Sequence, residues 1–493
     1  MAIRRNSFVN LAGNLVGLVL FAALTPLYFH VIGSERYGIL AIIWTFLAFF
    51  SAFDFGMGAA LTYRIASEAR ADVAHQSDYF WTAISISLPV GLVIGVLLFG
   101  LVGGGLGGVF NLSPAVSAEL LHSAPALLAI GVCTILLSTS GGLLRGREYF
   151  VTNATLSAMA LALAILLPVI AALLISPSLD VLIVATLAGR LITVVATIGF
   201  AYIEILKRAR PSVSRRSARS LVGYGAWSSV GGVIELTISS ADRFILGAVA
   251  GPSAVGYYSV PSSVLARVMI FPTSIGTASL PQLASRSPED EVILARKIIR
   301  MVGMLTPCFV IGIFLAHPFL SLWMGAGFAK IATLPMQILL PAFWMEAISA
   351  ILFYRLLAQG RPRTSAAVAA LIVVPYCALI YYLAGLWGVA GGAAAYLGRN
   401  TMFLSGRTTV TRSWRMLGAA VGPDLFLLVA ALGASLGALP AQPPLVVAVI
   451  LSGLSIGLAL KRRPAEFDNL VRDFARRVGV RRAVSSAGGG IDG

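Results

Sequence analysis

The stretch "SSVLARVMIFPTSIG" places one guanidinium, that of Arg267, near the middle of an apolar run spanning 255–280. A charge at that depth costs on the order of 2.5–3.5 kcal/mol on insertion scales, so it has to face protein, water or a ligand. Arginine offers planar, bidentate donors that suit a phosphate. The opposing reading is a buried ion pair with Glu235, Asp242 or Glu346. Arg190, Arg243 and Arg399 also fall inside long apolar runs and pose the same choice. Asp54 and Arg64 stand at the inner end of another run, where a topology or gate pair is the expected role.

In "ELTISSADRFILG", Glu235 and Asp242 are seven residues apart and share a helix face, whereas the adjacent Asp242 and Arg243 do not face each other. With Glu346, these carboxylates could bind H⁺ or Na⁺, or act as counterions to the arginines. Pro261, Pro272 and Pro281 punctuate the run that carries Arg267. Each removes a helical hydrogen bond, so this helix is expected to be bent or broken, with Pro261 and Pro272 as the hinge. Nothing argues for catalysis or a resident cofactor. There is no HExxH, no DxD and no Ser with plausible His and Asp partners, and "GGGLGG" lacks the strand, Lys and Ser/Thr of a phosphate loop. Cys133, Cys308 and Cys377 sit in apolar runs without metal-like spacing and read as small buried hydrophobes.

The elements that position these residues follow from composition. Of the residues, 58% are hydrophobic and 11% charged, where a soluble domain carries roughly 25% charged. Apolar runs long enough to cross ~30 Å of hydrocarbon recur along the chain, about fourteen in all, and their length marks helices rather than barrel strands. The expected fold is an all-α polytopic membrane protein. Of the 36 Lys and Arg residues, all but Arg36, Lys330 and the four inside spans fall on the side of the N-terminus, which makes that side, and both termini, cytoplasmic. The net charge of +16 is then mostly topology, facing anionic headgroups. Nucleic acid is not an expected partner.

Two segments reveal a repeat. "VIGSERYGIL" at 31–40 returns as "VAGPSAVGYY" at 249–258, and 31–67 laid over 249–285 matches at ten of 37 positions, among them Gly33/Gly251 and Gly38/Gly256. Six spans separate the copies, so the halves enter the membrane alike, as parallel repeats do. Two pseudo-symmetric six-helix lobes are expected at 1–206 and 221–416. The basic linker 207–220 lies between them, an extra pair of spans follows at 417–461, and a basic amphipathic tail occupies 462–493.

Several segments taken in order resemble the bacterial polysaccharide biosynthesis flippases, the Wzx-type oligosaccharide transporters of the superfamily that includes MATE exporters and the lipid II flippase. They are "FDFGMGAALTYRIASE" (53–68), "SADRFILGAVAGPSAVGYYSVPSSV" (240–264), "LWMGAGFAKIATLPMQILL" (322–340), "LLAQGRPRTSA" (356–366) and "GLWGVAGGAAAYLG" (385–398). The resemblance implies an inner-membrane transporter, not an enzyme. It would carry an undecaprenyl-pyrophosphate-linked oligosaccharide to the periplasmic leaflet by alternating access through a cationic cavity between the lobes. A polysaccharide polymerase and a chain-length regulator are the implied partners, besides membrane lipids. Arg243, Arg267 and Arg399 are placed to meet the two phosphates. The competing reading is a MATE-like exporter of organic cations, in which acidic groups would line the cavity and the first span would carry a carboxylate; this first span has none.

Overall fold

The computed structural model describes residues 2–51, 56–67, 72–104, 106–110, 112–437 and 445–461, and every regular element among them is helical. In chain order these are α1 (Ala2–Ser51), α2 (Met57–Ser67), α3 (Val73–Gly104), α4 (Leu106–Val109), α5 (Pro114–His122), α6 (Ala124–Gly146), α7 (Phe150–Leu174), α8 (Leu179–Phe200, extended by a π turn Ala201–Ile205), α9 (Arg215–Ala250), α10 (Pro252–Val268), α11 (Ile270–Ala284), α12 (Pro288–Gly303), α13 (Thr306–Met324), α14 (Ala326–Ala358), α15 (Pro362–Val410), α16 (Trp414–Gly437) and α17 (Leu445–Lys461). Among the described residues, ten stretches are long and apolar enough to cross a membrane, and Val446–Lys461 is a shorter apolar helix. Length and composition therefore do not establish the expected count of fourteen. One reason is that Gly33 and Gly388 bend α1 and α15 without ending them, so each of these 50- and 49-residue helices runs through two arms.

The repeat has a geometric signature. Gly33 adopts φ 83° and ψ 166°, and Gly251, at the matching position, adopts φ 84° and ψ 165°. Side chains rarely enter this region, which is why glycine stands at both bends. The packing around the bends is reciprocal as well. A Cβ on Gly38 would meet the carbonyl oxygen of Pro252, and a Cβ on Gly256 would meet that of Ser34. Ser34 and Pro252 are themselves a matched pair in the repeat. Ser34 Oγ donates to Ser253 Oγ at 3.3 Å.

The chain forms two compact units. The first comprises 1–267, 318–336 and 369–398. In it α3 packs on α6, α8 lies against both α6 and α7, and α1 packs on α7 and α9. Small residues permit the close approaches: Gly95 of α3 and Gly131 of α6 leave no room for a Cβ on either. Near one end, Phe29 packs edge-on against Phe328 at 4.9 Å and against Tyr257 at 5.5 Å between ring centroids. Pro26, lacking an N–H, leaves the carbonyl of Ala22 without its helical donor, and Trp323 Nε1 supplies one at 2.6 Å.

Glu119 of α5 ties three segments of this unit together. It accepts from Arg36 at 2.9 and 2.5 Å and from the backbone N–H of Leu179, which opens α8, at 2.9 Å. The Arg36 hydrogen bond holds the Glu119 carboxyl below its ordinary range. The basic linker is also anchored. Ser212 and Ser217 donate to Asp78 of α3 at 3.1 and 2.6 Å, and Ser214 N-caps α9.

The second unit comprises 268–317, 337–368 and 399–493. There α12 packs on α16 and α16 on α17. Ser287 caps α12, whose first turn carries Glu289, Asp290 and Glu291, favourably placed at the positive end of the helix dipole.

Candidate functional site

Asp242 lies two turns before the Gly251 bend in α9 and is 3% exposed. Its Oδ1 accepts the backbone N–H of Arg243 at 2.8 Å and its Oδ2 accepts the hydroxyl of Tyr258, on α10, at 2.8 Å. The carboxylate thus ties the two helices on either side of the bend. As expected of neighbours on a helix, the Arg243 guanidinium turns away, and its Nη1 donates to Thr45 Oγ1 of α1 at 3.4 Å. Thr45 can receive it because its own hydrogen is given to the carbonyl of Ala41 at 2.7 Å.

Arg190 sits near the middle of α8. Its Nη1 donates to Thr134 Oγ1 of α6 at 2.8 Å, while Thr134 donates to the carbonyl of Ile130. Among the described residues neither Arg190 nor Arg243 has a carboxylate within ion-pair distance, and the Nε of each is buried without an acceptor. A guanidinium carries five donors. Both groups therefore retain donors in a setting where each unmet one is costly.

The other predicted residues are placed differently. Arg399 of α15 is 5% exposed, and its Nη2 stands 3.7 Å from Glu346 Oε2 of α14, so a carboxylate does accompany this arginine. Arg267 is half-buried in the last turn of α10. The helix is interrupted just beyond it, at Met269, where Pro272 has no N–H to offer the carbonyl of Val268. Pro261 is buried inside α10. Arg64 is half-buried on α2, with its guanidinium 5.8 Å from the ring centroid of Tyr63. Asp54 lies outside the described residues, as do the side chains of Glu235 and Pro281.

Three groups were not singled out from the sequence. Tyr258 reaches Asp242 only because the chain bends at Gly251; the available signal was a phenol sixteen residues from a carboxylate on the far side of a glycine. Arg355, counted as topological charge, is 5% exposed and grips Glu291 through two bonds of 2.5 and 2.9 Å, with Ser413 accepting from its Nη1. Asp424, just after Pro423 in α16, is 4% exposed, one carboxylate within an otherwise apolar run.

Comparison with known proteins gives this arrangement a context. The profile described as "Polysaccharide biosynthesis protein" matches residues 3–287. A protein of Shigella flexneri named "Putative O-antigen transporter" is 22% identical over 400 residues, 80% of this chain and 94% of that one. The uncharacterized membrane protein EpsK of Bacillus subtilis (strain 168) is 24% identical over 427 residues, 81% of each. Among solved structures, lipid II flippase MurJ in an inward closed conformation superposes with a TM-score of 0.69 at 13% identity, covering 97% of this chain and 99% of that one. An inward-facing multidrug resistance MATE family transporter of the MOP superfamily gives 0.60 at 18% identity, covering 84% and 99%. At such identities the structural likeness speaks for the fold. The chain belongs to the polysaccharide biosynthesis protein family and has the multi-helix membrane fold of the MOP superfamily transporters.

Proposed function

We propose that this protein is a flippase that moves an undecaprenyl-pyrophosphate-linked oligosaccharide from the cytoplasmic to the periplasmic leaflet, for assembly of a cell-surface polysaccharide. The observation that carries the reading is that Arg190 and Arg243, two guanidinium groups within apolar helices, meet threonine hydroxyls and, among the described residues, no carboxylate. Unspent donors of fixed geometry at that depth suit the oxygens of a diphosphate. They would repel an organic cation.

In this reading the lobes 1–206 and 221–416 rock about a cationic cavity. The sugar headgroup crosses inside while the prenyl tail stays in lipid, since desolvating an unpaired glycan in hydrocarbon is prohibitive. No covalent bond changes. Arg267 extends the cationic surface, Arg64 and Asp54 belong to the inner mouth, and Pro261 and Pro272 give α10 and α11 their freedom to bend. Both termini face the cytoplasm from the inner membrane, and a polymerase and chain-length regulator take over the product.

Reconstitution in liposomes tests this directly. Fluorescent prenyl-diphosphate-linked oligosaccharide should become accessible on the opposite leaflet only with the protein present. Transport of an organic cation instead, with the glycolipid immobile, would overturn the reading.

A further inference from the structure

We infer that the notch where α12, α16 and α17 meet is a binding site for the phosphate of an anionic phospholipid. A small cavity there is lined by Arg300, Gly303 and Met304 of α12, Ala420 and Asp424 of α16 and Ala459 of α17. All three helices belong to the second unit, and the inference uses neither Arg190 nor Arg243 and stands apart from the flippase reading. Ala459 is two residues before the exposed Lys461 that ends α17, which sets the cavity near a helix end, at the level of lipid headgroups.

Two guanidinium groups point the chemistry to an anion. Arg296 and Arg300 are one turn apart on α12 and share a face. Both are half-buried, the Nε of each is buried without an acceptor, and among the described residues neither has a carboxylate within ion-pair distance. Guanidinium groups held this way have donors to give, and leaving those donors unmet is costly. Asp424 lines the same cavity, and Arg296, Arg300 and Lys461 outweigh its one charge. The free volume is about 10 Å³, room for one water-sized group. A single phosphate oxygen enters, and the rest of the headgroup stays at the opening, where the planar fork of Arg300 meets it.

Charge that only fixes orientation stays in water, so the half-buried setting of these arginines calls for another account. The repeat supplies a comparison. α3 follows the first copy of the repeat as α12 follows the second, yet Val73–Gly104 contains no Lys or Arg, whereas α12 carries Arg296, Lys297 and Arg300. Of these two helices, the one with the cations is the one that packs on α16, a member of the appended pair. Basic pockets between helices at the membrane surface take lipid headgroups. A phosphate in this notch joins the appended pair to α12 through charge.

Native mass spectrometry of the full chain in detergent, with phosphatidylglycerol added, reads the site without any transport. Wild type should retain the lipid, and Arg296→Gln combined with Arg300→Gln should retain roughly tenfold less, the worth of a charge-assisted contact. Arg286→Gln, at an exposed position outside the cavity, should behave as wild type. Equal retention in wild type and the double variant would overturn the site, as would an equal loss in Arg286→Gln. Asp424→Asn removes the opposing charge and should tighten retention; weaker retention there would mean that the cavity takes a cation, against the inference. Should the double variant fail to fold, Arg300→Lys decides, since losing the planar fork must weaken retention. Excess inorganic phosphate should leave the lipid in place, and full displacement would overturn the lipid as occupant in favour of the free anion.

Discussion

The carbonyl oxygen of Pro252 lies 1.7 Å from where a Cβ on Gly38 would stand. No side chain fits there without separating the backbones, whereas at Gly33 and Gly251 space is open and only the dihedrals forbid a substituent. Gly33→Ala and Gly251→Ala should therefore each cost about 1–3 kcal/mol of stability, in similar amounts because the two bends match. Gly38→Ala should cost more than either. Thermal unfolding in detergent ranks the three; a silent Gly38→Ala would refute the close contact.

Glu291 and Arg355 are nearly inaccessible and joined by two bonds. Removing one partner strands the other, at about 3–5 kcal/mol. Glu291→Gln should accordingly lower the unfolding midpoint strongly. The double replacement Glu291→Leu with Arg355→Met should recover much of the loss, and failure to recover would mean that the pair does more than satisfy itself.

Arg190 and Arg243 donate to threonines and keep donors in reserve. A charge-assisted contact is worth about 1.5–3 kcal/mol, roughly a tenfold or greater effect. Arg190→Gln and Arg243→Gln should each reduce glycolipid transport by about that factor without loss of folded protein. Arg267→Ala should abolish transport, with Arg267→Lys partly active because charge survives and the planar fork does not. Full activity of the alanine variant removes Arg267 from the mechanism.

Acid should loosen the Arg36–Glu119 tie. Since Arg36 holds the Glu119 carboxyl below its ordinary range, the tie contributes fully above the unfolded value of about 4.3 and is lost as pH falls through the folded one. The pair is partly exposed, so its worth is at most about 1 kcal/mol. Unfolding temperatures should drop less between neutral and acidic buffer in Glu119→Gln than in wild type. Identical slopes would show that the pair is idle.

What was legible in the sequence is what local chemistry dictates. Apolar run length requires helices, the match of 31–67 with 249–285 implies two alike bends that glycine at 33 and 251 permits, and a proline at 272 breaks the helix a few residues upstream. Partners are another matter. Asp242 reads as a counterion before it reads as an ion site until the bend brings Tyr258 to it, and Arg399 becomes a paired group only once α14 lays Glu346 nearby. Arg355 looked like one more positive residue on the inner side because nothing in its vicinity announces Glu291, 64 residues away. Spacing along one helix is written in the chain; the facing side of the next is not.

The bond from Trp323 to Ala22 joins residues 301 positions apart. At roughly 5–20 residues per second of synthesis, about 15–60 seconds pass between the emergence of the two. Hydrocarbon tolerates no bare carbonyl. During that interval the oxygen exposed by Pro26 must be met by water, by the insertion machinery or by a temporary neighbour, so biogenesis of the opening helix stays unfinished until the thirteenth has entered the bilayer.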